Sequence, residues 1–550
     1  MKFMDKKISY CLLVSLLLTG CNDIFEEKHN STNVESKKIA VIRHEFEYDE
    51  NGTRVSLSKK DKGMRCVWKE GDEIGVLPIY PEINNPAKGK IHIADTYKDA
   101  HYAEFAGGGW QLDTESRYAA YYPFSLDCFD VFLGEPDINY ELSEQKQSGN
   151  GNFSHVEDNI YMYAPSTNVL MTDDYGDKHS VAFDFQHLIS ILELHLHVPV
   201  ATKWQYVSIV NKNNDPIFLL SPNISLLNGQ LDLQEGSGFM SSFMTIELND
   251  VETTSDNGEL VIYMVVHPVE TGELRVRALT DDYMVYEGNL PSKNLVAGKI
   301  YKYDADLTLA SYSPSGTENG YEWVDLCLPS GTKWATMNIG AISPTDDGKR
   351  YSWGETKALG EVDETNLNNY ITTGSYVKET ASWRTYKYGY IGESVYGADL
   401  QRFIVTKYNC TPKWGLDGFV DYKYILEPDD DAAYVNWGGK WKMPVEADIQ
   451  ELMACCFQTR IDNYKNSGIT GIAFFKPHTD KDRGRYDYYN RNDYSLDEPH
   501  VFFPIGKCWW SREVCLDYTV YCINVSTEPV KFSKGDRTRY NSFYVRPVLR

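Results

Sequence analysis

The chain has 550 residues, is 42% hydrophobic and is strongly acidic, with 54 Lys plus Arg against 79 Asp plus Glu and a formal net charge of −25. This balance excludes nucleic acid and anionic lipid headgroups as partners, because both need clustered Lys and Arg. The apolar share is enough for real cores, and the length suits three or four domains of roughly 100–200 residues each.

Met1, Lys2, Lys6 and Lys7 form a basic head, Ile8 to Leu18 is an apolar run, and Leu18-Thr19-Gly20-Cys21 closes the segment. That order is a secretion signal, too short for a permanent membrane span, and no later stretch is long and apolar enough to be a second one. The small residues Thr19 and Gly20 ahead of Cys21 resemble the bacterial lipoprotein lipobox. The resemblance implies removal of residues 1–20 and lipidation of the Cys21 thiol. Residues 21–38, with Glu26-Glu27-Lys28-His29-Asn30-Ser31, read as a polar tether. The expected location is the cell outer membrane, with the protein exposed on the surface and held through its lipid.

Strand signals dominate the next part of the chain. Leu192, Leu194, Leu196 and Val198 alternate with Glu193, His195 and His197, the period-two mark of a half-buried strand. Leu260 to Val266 is apolar on both faces, as in the middle of a sandwich core, and Leu274, Val276 and Ala278 alternate with Arg275 and Arg277. Asn51-Gly52, Asn228-Gly229, Asn257-Gly258 and Thr271-Gly272 supply turns between such runs. Many short strands with this punctuation predict β-sandwiches. His195 and His197 share one strand face with no third ligand in view, which reads as a pair of surface histidines.

Thr53-Arg54-Val55-Ser56-Leu57, then Val67-Trp68-Lys69-Glu70-Gly71-Asp72-Glu73-Ile74-Gly75-Val76, Tyr121-Tyr122-Pro123 and Val181-Ala182-Phe183-Asp184-Phe185-Gln186-His187-Leu188 follow in order. Together they resemble the fimbrillin-like (major and minor fimbrial subunit) family of Bacteroidetes lipoproteins, over about residues 39–308. The resemblance implies two stacked β-sandwich domains, here 39–180 and 181–308. It also implies assembly with other fimbrial subunits by strand exchange, in which a first strand is cut away after Arg or Lys and a neighbour's strand fills the groove. Lys37, Lys38 and Arg43 are the candidate processing points. The residues of Trp68-Lys69-Glu70-Gly71-Asp72 themselves read as a turn made by Gly71 and Asp72 beside a packing Trp68.

Tyr312-Ser313-Pro314-Ser315-Gly316-Thr317-Glu318-Asn319-Gly320 is the best boundary signal, and residues 309–320 read as a linker. Beyond it Pro444 at a first-turn position, with Ile449, Leu452, Met453 and Cys456 at helical spacing, predicts a helix. Three blocks carry a second resemblance: Val324 to Ala341 followed by Trp353-Gly354-Glu355-Thr356; Asp430-Asp431-Ala432-Ala433 followed by Trp437-Gly438-Gly439-Lys440-Trp441-Lys442-Met443-Pro444; and Trp509-Trp510-Ser511 with a closing Val545-Arg546-Pro547-Val548. Over 321–550 these are similar to the Fibrobacter succinogenes major paralogous domain, which implies a C-type-lectin-like fold. Val445 stands where that family has a capping Thr, a loss of about 1 kcal/mol. The expected fold class is therefore mainly β: two fimbrillin-type sandwiches followed by an α+β C-type-lectin-like domain.

C-type lectins use a Glu-Pro-Asn or Gln-Pro-Asp loop and a Trp-Asn-Asp strand to bind sugar through calcium. Here Glu427-Pro428-Asp429 and Asp497-Glu498-Pro499-His500 occur without a Trp-Asn-Asp, and calcium needs six to eight oxygen ligands. No metal site, cofactor or catalytic residue is assigned, and an enzymatic role is not expected. Of the 11 cysteines, Cys11 leaves with the signal and Cys21 is lipidated, so the remaining nine cannot all pair internally. Export allows some of the late cluster Cys455, Cys456, Cys508, Cys515 and Cys522 to oxidise, and the connectivity stays open.

Two Tyr-rich insertions interrupt the lectin-like pattern, at 370–396 and at 486–494, and the final stretch, about 512–540, is the variable ligand face in some lectin-like relatives. Tyr with Asn, Asp and Arg supplies flat apolar faces and hydrogen bonds, as in antibody loops. The ligand-binding candidates are Tyr388, Tyr390, Tyr486, Tyr488, Tyr489, Arg512 and Tyr518. The expected function is a fimbrial adhesin, with a tip position favoured over the stalk, whose head binds a host or bacterial surface glycan or protein. The alternative is a non-polymerising surface lipoprotein that captures a ligand or nutrient.

Overall fold

The computed structural model describes residues 37–43, 47–48, 68, 72–78, 89–93, 102–107, 117–124, 137–168, 181–226, 229–231, 240–254, 258–391, 404–488, 493–516, 519–527 and 530–550. Its regular structure is mainly β. Cys21, Tyr489 and Tyr518 lie outside the described residues.

The first seven-stranded sheet closes on itself as a barrel. Its order is Lys37–Arg43, Val181–His187, Met162–Asn168, Arg117–Tyr122, Glu73–Pro78, Gly89–Ile93 and Tyr102–Gly107. The first strand runs parallel to Val181–His187, with Ile39 opposite Val181 and Arg43 opposite Phe185. Trp68 is fully buried, edge-on to Tyr122 (5.4 Å) and Phe185 (5.8 Å), while the Tyr122 hydroxyl donates to Asp72 Oδ1 at 3.1 Å. Trp68 packs as expected; Gly71 lies outside the described residues.

Two further sheets follow. One has the order Gly258–Val266, Ser190–Val198, Lys299–Asp306, Glu47–Tyr48; the other Thr308–Leu309, Val285–Leu290, Leu274–Thr280, Lys203–Asn211, Phe243–Glu252, Gln145–Ser148. Leu192, Leu194 and Leu196 of the first and Val207, Ile209, Ile246 and Val276 of the second are completely buried in one apolar cluster, which also takes in Ile74, Val76 and Phe185 of the barrel. Strands from both sides of the divide expected near residue 180 share sheets. Val181–His187 belongs to the barrel, whereas Glu47–Tyr48 and Gln145–Ser148, from the earlier segment, form edges of the later sheets by parallel pairing. Parallel neighbours are joined by long crossovers, so they come from far apart in sequence and no local punctuation announces them.

The outer edge of Gly258–Val266 is closed by side chains instead of a strand. The Gln145 amide donates to Val265 O and accepts from Val265 N, both at 2.7 Å. Gln147 donates to Val261 O at 2.9 Å and accepts from Tyr263 N at 2.9 Å, and Asn150 pairs in the same way with Glu259 O and Val261 N, both at 2.8 Å. Gln145 and Gln147 are buried, and amides aimed at backbone partners are the way such groups avoid a desolvation cost.

The head contains two four-stranded sheets and a three-stranded one. Their orders are Ser315–Glu318, Tyr321–Val324, Lys333–Ala335, Val548–Leu549; Tyr486–Asp487, Phe457–Ile461, Gly471–Phe475, His500–Pro504; and Lys507–Leu516, Thr519–Thr527, Val530–Thr538. The expected linker is largely structured, because Thr308–Leu309 joins a stem sheet and Ser315–Glu318 is the outer strand of a head hairpin. Polar Ser, Gly and Thr at a sheet edge read as linker in sequence because an edge strand needs no apolar alternation. The expected helix is Glu446–Cys455, with Ile449 and Leu452 completely buried. Val445 offers no capping side chain, yet Asp448 Oδ2 reaches back to accept from Val445 N at 3.0 Å, which restores half of a capping box.

Stem and head share buried contacts. Val445 and Ala447 at the start of that helix join the stem's apolar cluster. Arg550 forms an ion pair with Asp448, donates to Ser242 Oγ at 2.8 Å and lies 4.8 Å over the Phe243 ring. Glu513 Oε1 accepts from Met240 N at 2.8 Å and Oε2 from Glu446 N at 3.0 Å. Arg483 donates to the Tyr206 hydroxyl at 3.2 Å, Arg277 Nε to Pro329 O at 3.0 Å and Lys442 Nζ to Asn214 O at 3.3 Å. Residues 38–550 form one compact unit.

Asp448 and Arg550 are 2% and 7% exposed at their side chains, so Arg550→Ala strands a buried carboxylate. Equilibrium unfolding in denaturant is expected to show a loss of about 3 kcal/mol. Glu451 accepts from Ser330 N (2.7 Å) and Oγ (2.5 Å), but burial outweighs these bonds and pushes its carboxyl up to about 7. The native state then holds a proton that the unfolded chain releases near the ordinary carboxylate value. This contribution is complete below that value and is lost as pH rises toward about 7, with a slope of at most about 1.4 kcal/mol per pH unit. Stability measured from pH 5 to 8 should fall, and Glu451→Gln should flatten the fall.

Candidate functional site

The structure sorts the candidate residues into separate places. Tyr388 is a core residue. It is 8% exposed and donates to Asp430 Oδ1 at 2.5 Å, while Tyr408 donates to Asp430 Oδ2 and Lys407 Nζ pairs with the same oxygen, both at 2.6 Å. Burial raises the Asp430 carboxyl, but Lys407 and the two phenols outweigh it and hold it below its ordinary value. Tyr386 and Tyr408 pack edge-on to Tyr388 at 5.9 Å. The structure thus places the ligand-binding candidate Tyr388 inside: a hydroxyl with a buried charged acceptor lets a tyrosine lie in a core.

The candidate Arg512 is also placed inside. It is 7% exposed, its Nη2 donates to Leu426 O at 2.7 Å and its Nε lies 3.6 Å from Asp431. Asp431 itself caps the Ala432–Trp437 helix, accepting from Ala433 N (2.9 Å) and Tyr434 N (3.1 Å), and also accepts from Met443 N at 3.0 Å. The Asp430-Asp431 pair of the second sequence block is thus two scaffold anchors. Sequence gave no sign of Lys407 as the partner, since it lies more than twenty residues away in an irregular segment.

Tyr390 and Tyr488 are exposed, at 37% and 43%, and Tyr486 is half-buried. Tyr486–Asp487 is an edge strand, parallel to Phe457–Ile461. Arg460 on that neighbour donates to the Tyr488 hydroxyl, its guanidinium lies 4.9 Å from the ring centroid, and its Nε meets Asp462 Oδ1 at 2.6 Å. Tyr486, Tyr488, Arg460 and Asp462 form a surface group with an aromatic face, a cation and an anion, suited to hydroxyl-rich or polar peptide ligands. Arg460 was not among the sequence candidates, because its alternation on a strand resembles any solvent-facing position.

Both Glu-Pro turns have their carboxylates engaged. Glu427 pairs with Lys407 at 2.6 Å and with Lys423, and Glu498 accepts from Ser495 N at 2.8 Å and meets His478 Nε2 at 2.6 Å. Asp497, Glu498, Pro499 and His500 line a cleft of about 420 Å³ with Trp323 and Lys465. The His500 ring is fixed by Tyr464 Oη (2.8 Å) and Glu498 O (2.7 Å). Among the described residues no group of three or more His, Cys, Asp or Glu is placed to hold a metal ion. His197 is exposed as expected, whereas His195 is partly covered between Glu193 (2.8 Å) and Glu259 (2.5 Å), and the Glu193 bond leads in raising its pKa.

No protein-family model matches the sequence, and no curated protein matches it. Among solved structures, the chain is similar to a "putative cell adhesion protein" from Bacteroides uniformis, at 15% identity and a TM-score of 0.31, over 50% of this chain and 99% of that one. It is also similar to a fimbrial protein from Bacteroides ovatus, at 12% identity and a TM-score of 0.27, over 94% of this chain and 99% of that one. A third similarity is to the C-terminally truncated tip fimbrial protein Mfa3 from Porphyromonas gingivalis, at 9% identity and a TM-score of 0.25, over 50% and 100%. At these TM-scores the likeness carries no inference about this chain's activity.

The two classes of tyrosine are separable by mutation. Tyr388→Phe removes one of three donors to buried Asp430 and is expected to cost about 1.5–2 kcal/mol in equilibrium unfolding. Tyr488→Phe, on the surface, should leave the unfolding midpoint unchanged within about 0.5 kcal/mol.

Proposed function

We propose that this chain is a cell-surface lipoprotein that acts as a fimbrial adhesin, with a stem that assembles by strand exchange and a head that binds a surface glycan or protein. The observation that supports assembly is the first barrel strand. Lys37–Arg43 ends at a candidate processing residue, and its parallel partner Val181–His187 is an interior strand of the barrel order. A cut after Arg43 would excise the whole strand and expose the backbone donors and acceptors along Val181–His187, a slot for a strand from a second subunit. Cuts after Lys37 or Lys38 would leave the strand in place, so Arg43 is the point at which processing matters.

The recognition reading rests on the Tyr486, Tyr488 and Arg460 group, with exposed Tyr390 as a further contact. A chain whose C-terminal part is a large head cannot readily lend a C-terminal strand, which favours the end of a fibre over its stalk. Cys21 would tie the subunit to the outer membrane until assembly.

The test combines three variants expressed in the native cell. Cys21→Ser is expected to leave the membrane fraction, and Arg43→Ala to keep residues 37–43 and lack the high-mass ladder expected of the assembled wild type on mildly denaturing gels. Tyr488→Ala is expected to assemble normally but adhere poorly. Wild-type protein that retains residues 37–43 and shows no ladder would instead establish the non-polymerising capture lipoprotein.

A further inference from the structure

The three-stranded head sheet carries a thiol pair that neither adhesion nor assembly uses. Cys508 lies opposite Asn524, and Trp510 lies opposite Cys522, so the two cysteines are diagonal neighbours on adjacent antiparallel strands and share one face. Cys508 Sγ donates to Asn524 Oδ1 at 3.3 Å. Cys522 faces Gly535 on the third strand, where a Cβ would stand 3.8 Å from Cys522 Sγ and 3.8 Å from Arg537 Nη1. The missing side chain leaves room beside the Cys522 sulfur and the Arg537 guanidinium. Cys522 is fully buried and Cys508 is partly exposed, so only one of the two can meet a reagent first.

We propose that Cys508 and Cys522 form a redox dithiol that closes to a cross-strand disulfide on exchange with low-molecular-weight disulfides. Cys508 acts as the attacking thiolate, because the Cys522 thiol and the Arg537 guanidinium both stabilise its negative charge and bring it down to about 7. The same contact raises Cys522, and burial raises Cys455, Cys456 and Cys515, which sets this pair apart from the other late cysteines. In the first step Cys508 Sγ attacks one sulfur of the reagent. The reagent's S–S bond breaks, a mixed disulfide forms and one thiolate leaves. Cys522 then gives its proton to that thiolate and attacks Cys508 Sγ, and the second reagent thiolate leaves and takes a proton from water. Two protein thiols are oxidised by two electrons and one reagent disulfide is reduced to two thiols.

The test treats the intact, folded chain with hydroxyethyl disulfide, then unfolds it in N-ethylmaleimide and maps the peptides by mass. The expected result is loss of maleimide from Cys508 and Cys522 together, with a peptide linking the two and two hydrogens fewer. In Cys522→Ser, Cys508 should instead retain the reagent as a stable mixed disulfide, and in Arg537→Gln wild-type linkage should form more slowly at pH 7. Full maleimide labelling of both residues after treatment of the wild type, or linkage of Cys508 to another cysteine, would overturn the proposal. The wild-type result stands without either variant, so a misfolded substitution cannot decide it.

Discussion

Asp448 is the point on which the head's attachment depends. One carboxylate accepts from Val445 N to start a helix, from Thr332 Oγ1 at 3.1 Å, and from Arg550, whose other nitrogen reaches Ser242 in the stem. Almost none of this is exposed to water, and a buried ion pair contributes little net stability against its desolvation cost. Its effect lies in what breaking it would do: either partner alone would be left charged in an apolar setting. Helix start, closing strand and stem surface therefore stand or fall as a unit.

The same accounting explains why so many ionisable groups lie inside the head. Asp430, Asp431, Glu451 and Glu513 are all buried, yet each accepts at least two hydrogen bonds from named donors. The head has few long helices and much irregular chain, so its backbone groups cannot all be satisfied by regular ladders. Acidic side chains at turns and helix starts take the place of missing partners. Many of the tyrosines serve the same end, and for this reason Tyr388 lies inside while Tyr488 lies outside.

What could be read from the sequence follows from how local each signal is. The alternation Leu192-Leu194-Leu196, the buried run Leu260 to Val266 and the Ile449–Leu452 helix face depend on near neighbours and were legible. The parallel placement of Lys37–Arg43, Glu47–Tyr48 and Gln145–Ser148 depends on partners about a hundred or more residues away, and no local pattern encodes it. At the candidate site, composition marked Tyr-rich segments correctly as chemically unusual. It could not separate a tyrosine that satisfies a buried carboxylate from one that faces solvent, because both are Tyr among Asp, Lys and Asn.

The amides of Gln145, Gln147 and Asn150 bear on how such a protein avoids its own stickiness. An open sheet edge is a template for any passing strand. By filling the edge of Gly258–Val266 with side chains that cannot themselves be extended by another backbone, the stem leaves that side chemically mute. Unintended strand addition is discouraged along that flank without any repulsive charge.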